Sequence, residues 1–366
     1  MATQTQRDAV VRSPKVREPS DIELRLQAMG LIDMHKVADA AMHIASAEIP
    51  LFLGDKELSA AELAVLSSEN ADFLERAMRL VSMYGYFTEN QYKKGFFRNT
   101  RHSVALGECK PYADFFGHPI LRKIWARTGY TFKTGKSAVE RYLNGATNSL
   151  VHFVLGHEEL RGIFFRMLGW FSSFEQVPAI LDVLDLKGVH GVMDVGGATG
   201  DFLEALAAKH PGLDAYVLVD LPHNIGSPET AATLQRIGGK ARGVACDALN
   251  SILVQPDEID RATVKFLFQD HSNQSVLRFL KNIWKVLPSG GTVDIIEMLT
   301  VPGLATPQNY APTMDYIMGV HEGFEGGGHV RTLEELKALL TASGFEFFRV
   351  IKTRAGISIV EGIKKA

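Results

Sequence analysis

Two groups of polar residues stand where this chain could do chemistry. The first surrounds a glycine-rich turn, Asp194-Val195-Gly196-Gly197-Ala198-Thr199-Gly200, which follows a short apolar run and precedes a helical pattern. Glycine at Gly196, Gly197 and Gly200 lets the backbone approach a ligand that a Cβ would obstruct. A strand, such a turn and a helix start together make a place for a polar ligand. Asp220 closes the next apolar run, 20 residues beyond Gly200, and Leu221 follows it. A carboxylate there can accept both hydroxyls of a ribose. Asp247 and Ala248 follow a third run, 243–246, where an adenine amino group can be met. The second group is Gln269-Asp270-His271 after the apolar run 264–268, with Glu297 closing the run 293–296 and His321 further on. His321 follows Met314, Ile317 and Met318 at helical spacing, so it shares their face. His and Asp together suit a divalent or ferric metal ion, and a histidine can instead serve as a general base.

The elements that must position these residues fall into two stretches. From 21 to about 150 the pattern is helical. Ser59 followed by Glu62 is a capping box that opens a short helix. A second helix carries Phe73, Leu74, Met78, Leu80 and Val81, and a turn at Glu89-Asn90 then separates Tyr86-Phe87 from Phe96-Phe97. Two short helices and a small hairpin make a winged-helix-like unit. It has no basic recognition face, so a packing and dimerisation module is the expectation rather than a nucleic-acid binder. From about 181 strands and helices alternate, the sign of an α/β fold with a parallel sheet. Strands are expected at 191–195, 215–219, 264–268 and 293–297, and a helix over 276–287 that breaks at Leu287-Pro288-Ser289-Gly290-Gly291. The expected domains are a loose tail over 1–20, a helical dimerisation and substrate-pocket domain over 21–180, and a ligand-binding domain over 181–366.

Composition excludes several classes. The chain has 366 residues, 46% of them hydrophobic and 22% charged, enough for a sizeable core. A net charge of -3 argues against a nucleic-acid partner bound through phosphates. No run of about 18 apolar residues is present, so no membrane span is expected. The first 20 residues have no apolar core of a targeting sequence. Cys109 and Cys246 lie far apart and are expected as reduced thiols in the cytoplasm.

Nicotinamide and a methyl donor compete for the glycine-rich turn, since both use a ribose acid. Asp194 before the turn favours the donor, because it can influence a cationic amino-acid end. The late start of the pattern, after a long helical stretch, points the same way. The Leu-Pro-Ser-Gly-Gly break resembles one found in methyltransferases. The chain resembles the two-domain small-molecule O-methyltransferases, which include plant caffeate methyltransferases and bacterial antibiotic-tailoring enzymes. The resemblance runs from about Leu31 to the C-terminus, through 58–87, Thr134-Gly135-Lys136-Ser137-Ala138, 194–201, Val219-Asp220-Leu221-Pro222 and 331–345. It implies a Rossmann-like class I methyltransferase domain preceded by a helical, winged-helix-like dimerisation domain, with a reversed final hairpin. It also implies S-adenosyl-L-methionine as cofactor, a homodimer, a small-molecule substrate and a place in secondary metabolism such as antibiotic biosynthesis.

The resemblance also shows where this chain departs. The family's phenol enzymes carry a base histidine in a His-Asp-Trp stretch, which corresponds here to Gln269-Asp270-His271. Gln269 cannot accept a proton at useful pH. The second helper of the family, a Glu before Arg-Thr, corresponds to Val330 before Arg331-Thr332, and Glu297 alone stays in place. Three readings follow. In one, His271 acts as base from a shifted loop in O- or N-methylation. In a second, the enzyme resembles the 2-oxo-acid C-methyltransferases, of the 2-ketoarginine methyltransferase type. There Asp270, His271 and His321 would hold a metal that chelates the keto acid and acidifies its C–H. The third is a family member that binds the donor without transferring methyl. Between them, the expectation is metal-assisted C-methylation of a 2-oxo acid. Glu322 and Glu325, in a glycine-rich segment after His321, could hold a cationic tail of such a substrate.

Overall fold

The computed structural model describes residues 18–147, 149–173, 176–256, 258–304, 309–321 and 327–365. The chain forms two compact units, residues 1–113 and 114–366.

The first unit begins with α1 (Asp21–Ser46), opened by a capping box in which Glu23 N–H donates to Ser20 Oγ and Ser20 N–H to Glu23. Its second half buries Val37, Ile44 and Ala45, whereas Ile22, Leu26, Met29, Leu31 and Ile32 in the first half lie exposed. Then come α2 (Ile49–Leu53), β1 (Leu58–Ser59), α3 (Ala60–Ser67), α4 (Ala71–Ser82), β2 (Phe87–Glu89), β3 (Phe96–Asn99) and α5 (Arg101–Glu108). The capping box expected at Ser59 and Glu62 is present. The three strands pair antiparallel in the order β1-β3-β2. Leu63, Leu74, Met78, Val81, Phe87 and Phe97 close over Ile44 and Ile49 to form the unit's core.

The chain leaves the first unit within α6 (Lys110–Phe116). Short helices follow: α7 (Pro119–Trp125), α8 (Thr128–Thr134), α9 (Ala138–Tyr142), α10 (Leu150–Leu155), α11 (Glu158–Ser173) and α12 (Gln176–Leu181). The α/β part runs β4 (Gly191–Val195), α13 (Asp201–Lys209), β5 (Ala215–Asp220), α14 (Pro222–Ile225), α15 (Pro228–Ile237), β6 (Ala241–Ala245), β7 (Arg261–Lys265), α16 (Asn273–Val286), β8 (Thr292–Met298), α17 (Ala311–His321), α18 (Leu333–Ser343), β9 (Phe345–Lys352) and β10 (Ile357–Lys364). The compact units part at 113/114, earlier than the change of sequence pattern near 181. The reason is packing: α12 lies against α13 and β10, and α8 and α9 lie against α17.

The seven strands form one mixed sheet in the order β6-β5-β4-β7-β8-β10-β9. The first five strands run parallel, and β10 runs antiparallel to both its neighbours, giving the reversed final hairpin. One apolar layer around Val195, Val217, Val264, Ile283 and Leu340 and another around Ile180, Val192, Leu203, Leu218 and Ile359 complete the core. The chain moves outward from β4 through β5 to β6, then returns to β7 on the other side of β4. A doubly wound sheet opens its ligand crevice at such a switch point, beyond the carboxyl ends of the strands. Both groups of polar residues start there.

One expected strand is displaced. Pairing ends at Lys265, three residues before the end of the apolar run 264–268. Phe266 takes a φ of 51°, a left-handed conformation that a bulky side chain rarely adopts, and this turns the chain out of the sheet. Residues Phe268–Asp270 form a single 3-10 turn instead.

Candidate active site

The first group is built on the turn after β4. Asp194 is 1% exposed, and its Oδ1 accepts a 2.7 Å hydrogen bond from Thr263 Oγ1 on β7. Its Oδ2 has no hydrogen-bond partner among the described residues. Burial pushes the carboxyl up to about 6, against the pull of Thr263 and Lys265. A buried carboxylate oxygen left without a donor fits a cationic ligand group. Gly197 is required where it stands: a Cβ would press on Asp194 Oδ2 and lie 2.6 Å from Leu218 Cδ1.

Asp220, at the end of β5, ties this turn to its own strand. Its carboxylate accepts from Ala198 N–H, Leu221 N–H and Asn224 Nδ2, each at 2.7 Å. Burial raises its pKa, and these three donors oppose the rise. Asp247 accepts from Leu249 N–H at 3.0 Å and Asn250 Nδ2 at 2.7 Å, while Ala248 C=O accepts from Asn282 Nδ2 at 2.9 Å. The structure thus sets Asp194, Gly196, Gly197, Gly200, Asp220, Leu221, Asp247 and Ala248 on adjacent strand ends, β4, β5 and β6.

Lys265 was not singled out in the sequence, and it belongs to this group. Burial lowers its pKa while Asp194 and Asp201 raise it, and its Nζ stands 3.3 Å from Ser172 Oγ and 5.2 Å from the Phe266 ring centre. A lysine closing a buried strand was the available signal, because such a charge persists only where a partner meets it.

The second group gathers on the turn 268–271. Glu297, at the end of β8, accepts from Phe268 N–H at 2.8 Å and Gln269 N–H at 3.2 Å through one oxygen. Arg331 holds the same turn by its carbonyls: Nη1 donates to Phe268 C=O at 2.5 Å and Nη2 to His271 C=O at 2.6 Å, while Nε donates to Asn273 Oδ1 at 2.7 Å. One residue takes the turn's N–H groups and the other fills its carbonyls. Burial pushes Glu297 up to about 8, with Arg331 pulling down and Asp270 adding to the rise. Gly328 lies against the turn so closely that a Cβ would meet Gln269 C=O at 2.6 Å.

Within this clamp Gln269 is buried and its Oε1 has no partner among the described residues. Asp270 is pushed up to about 7 by burial. His271 packs its ring edge against Phe279, 5.0 Å between centres. His321 is 4% exposed, stacks on Phe116 at 6.3 Å and meets Trp125 edge-on at 5.2 Å. Burial lowers its pKa to about 3, so the ring is neutral. Val330, standing where the family's second acid would be, is buried and bonds through its backbone alone, its N–H donating to Asp315 at 2.9 Å and its C=O accepting from Thr300 Oγ1 at 2.9 Å.

This geometry corrects the expected metal set. Among the described residues no group of three or more His, Cys, Asp and Glu stands close enough to hold a metal ion. His271 turns to Phe279 on α16, whereas His321 is enclosed by Phe116 and Trp125. Asp270, His271 and His321 therefore do not form the donor set that a chelated keto acid would need. Glu322 and Glu325 lie outside the described residues.

An open α/β sheet with a reversed hairpin, a glycine-rich turn after β4 and acids closing β4 and β5 defines a methyltransferase fold. The chain belongs to the O-methyltransferase domain family, whose model matches residues 144–346. It is an S-adenosylmethionine-dependent methyltransferase. It is 26% identical over 305 residues to the phenazine O-methyltransferase PhzM of Lysobacter antibioticus, covering 82% of this chain and 84% of that protein. O-methyltransferase 13 of Lophophora williamsii is 31% identical over 180 residues, 49% of this chain and 46% of the other. The SAH-bound structure of CalO1, a methyltransferase in calicheamicin biosynthesis, shares the fold with a TM-score of 0.78 at 23% identity, covering 95% of this chain and all of CalO1. These likenesses support the O-methyltransferase reading, and they give no support to the expected C-methylation of a 2-oxo acid.

Among the described residues no helix is long and apolar enough to cross a membrane.

Proposed function

We propose that this enzyme transfers the methyl group of S-adenosylmethionine to a hydroxyl of a small phenolic or otherwise hydroxylated secondary metabolite. The observation that carries the reading is membership of the O-methyltransferase domain family across 144–346, which contains the donor turn and the clamped turn alike. The donor, when bound, supplies an electrophilic methyl on a sulfonium. The residues that fit it are Asp194 with Gly196, Gly197 and Gly200 for its amino-acid end, and Asp220 with Leu221 for its ribose. Asp247 and Ala248 fit its adenine. On the acceptor side Glu297 and Arg331 position the turn, Gln269 can accept a hydrogen bond but no proton, and Asp270 is the neighbouring carboxylate able to take one near neutral pH.

Mass spectrometry of products from a panel of phenols and 2-oxo acids, with and without chelator, tests this. The expected outcome is an O-methylated phenol formed equally in both conditions. A C-methylated 2-oxo acid formed only without chelator would overturn the reading and restore the metal-enolate alternative.

We also propose that the first unit is a winged-helix-like dimerisation module. Support comes from the exposed apolar residues Ile22, Leu26, Met29, Leu31 and Ile32 along one helix, α1. Sedimentation at micromolar concentration is expected to show a homodimer, and Leu26→Glu with Met29→Glu to shift it toward monomer. A wild-type monomer would contradict the assignment.

A further inference from the structure

We propose that the Asn224 side chain stands in for a ribose hydroxyl in the free enzyme, and that the methyl donor displaces it from Asp220 on binding. The inference rests on the donor-site reading above, in which Asp220 takes the ribose, and deepens it.

It starts from a count of lone pairs. An ionised carboxylate offers about four acceptor places, two on each oxygen. Three of those on Asp220 are already filled. Oδ1 accepts from Leu221 N–H and from Asn224 Nδ2, and Oδ2 accepts from Ala198 N–H, each at 2.7 Å. One place on Oδ2 remains, whereas a ribose brings two hydroxyls. One of the three donors therefore has to leave.

The backbone decides which one can. Ala198 N–H belongs to the glycine-rich turn, where Ala198 takes a φ of 51° between the left-handed Gly196 and Gly200. Its C=O accepts from the buried Thr230 Oγ1 at 3.4 Å. Leu221 precedes the one-turn helix α14, and its C=O accepts from Asn224 N–H at 3.0 Å and Ile225 N–H at 3.1 Å. Withdrawing either backbone donor would unmake the turn that carries it. Asn224 Nδ2 leaves by rotation about side-chain bonds, with its backbone still in place. The residue is half-buried beside the exposed His223, and its side chain makes no other hydrogen bond among the described residues. Once Asn224 has swung away, each carboxylate oxygen keeps one backbone N–H and has one free place. That is a seat for a vicinal diol.

The contact has a use in the empty enzyme. Asp220 is 9% exposed and burial raises its pKa, with Asn224 the strongest of the three donors that oppose the rise. A buried carboxylate short of donors is destabilising, so a tethered amide keeps the empty site satisfied. The same tether lowers affinity for donor and S-adenosylhomocysteine alike, because both carry the ribose. The two hydroxyls are then unequal. The one that meets Oδ1 replaces an existing bond, while the other fills the vacant place on Oδ2 and contributes more. Asn224 thus sets which hydroxyl of the sugar is read most strongly.

The experiment is calorimetric titration of the full chain, as wild type and as Asn224→Leu, with S-adenosylhomocysteine and its 2′-deoxy and 3′-deoxy analogues. Leucine is close to asparagine in shape and carries no amide. S-adenosylhomocysteine is expected to bind Asn224→Leu tighter by about threefold or more, the size of one hydrogen bond that no longer has to be broken. The deoxy analogue that lacks the hydroxyl facing Oδ1 is expected to bind both proteins equally. Unchanged or weaker binding of S-adenosylhomocysteine to Asn224→Leu overturns the proposal, and so does an equal gain for all three compounds. Asp220→Ala separates this from the reading beneath it. Binding weakened by Asp220→Ala, with no gain in Asn224→Leu, sinks the displacement alone. Wild-type affinity in Asp220→Ala removes the ribose reading and the proposal with it. Should Asn224→Leu not fold, a crystal structure of the wild type with S-adenosylhomocysteine decides. Asn224 Nδ2 is then expected beyond about 3.5 Å from Asp220 Oδ1, and a retained contact of 2.7 Å overturns the proposal.

Discussion

Asp220→Ala will weaken S-adenosylmethionine binding by more than tenfold. In the free enzyme the carboxylate is already committed to three donors, the N–H groups of Ala198 and Leu221 and the amide of Asn224. These contacts hold the glycine-rich turn after β4 against the end of β5. A ribose adds hydroxyl donors to a group that is charged, ordered and mostly out of water, where charge-assisted bonds contribute about 1.5–3 kcal/mol each. Alanine removes both the acceptor for the sugar and the tie that shapes the turn. The loss therefore exceeds that of one exposed hydrogen bond, and a tenfold change needs only about 1.4 kcal/mol. Calorimetry with S-adenosylhomocysteine on the folded variant measures it. An affinity equal to that of wild type would remove Asp220 from the donor site.

The position of the glycine-rich turn and its acids at adjacent strand ends was legible because its signals are local. A turn that needs Gly197 announces itself by glycine, and acids at the ends of apolar runs need only the strand pattern to be placed. The clamped turn was not, because it is assembled from distant segments. Gln269 and Arg331 stand far apart in sequence, and only the folded chain shows that Arg331 fills the carbonyls of the turn whose N–H groups Glu297 takes. The strand expected at 264–268 failed for a related reason. Its apolar run is continuous, but Phe266 leaves the sheet, and a run of apolar residues carries no mark of a left-handed φ. The histidines were misread as a set because residue type and helical spacing give a face and not a neighbour. His321 meets Trp125 and Phe116 from other helices, while His271 turns to Phe279.

Arg261→Ala is expected to cost about 3–5 kcal/mol of stability, the range for stranding a buried charge. Arg261 opens β7 and holds Asp294 on β8 by two bonds, Nε to Oδ2 at 2.7 Å and Nη2 to Oδ1 at 2.8 Å, and it also bonds Glu361 on β10. Asp294 and Glu361 sit directly opposite each other on the antiparallel pair β8–β10, and both are fully buried. Like charges so placed repel, and they are tolerated because Arg261 lies on one side and Arg349 of β9 bonds Glu361 on the other. Removing Arg261 leaves two facing carboxylates and one half-exposed cation, Arg349, that bonds Glu361 alone. Against a total of about 5–15 kcal/mol for a folded domain, that loss is large. A urea transition followed by circular dichroism is expected to move sharply to lower denaturant, and a shift worth under about 1 kcal/mol would contradict the account. Replacing the pair together, Arg261→Met with Asp294→Leu, should recover much of the loss, since apolar residues of similar volume often substitute for a buried ion pair. The ladder matters to the site as well as to stability. β7 ends in Lys265 beside Asp194, and β8 ends in Glu297 under the Gln269 turn, so a network that crosses both strands at their starts fixes their relative register. Fixing it sets where the glycine-rich turn and the clamped turn stand at the carboxyl ends, the relation that methyl transfer between two molecules bound there would demand.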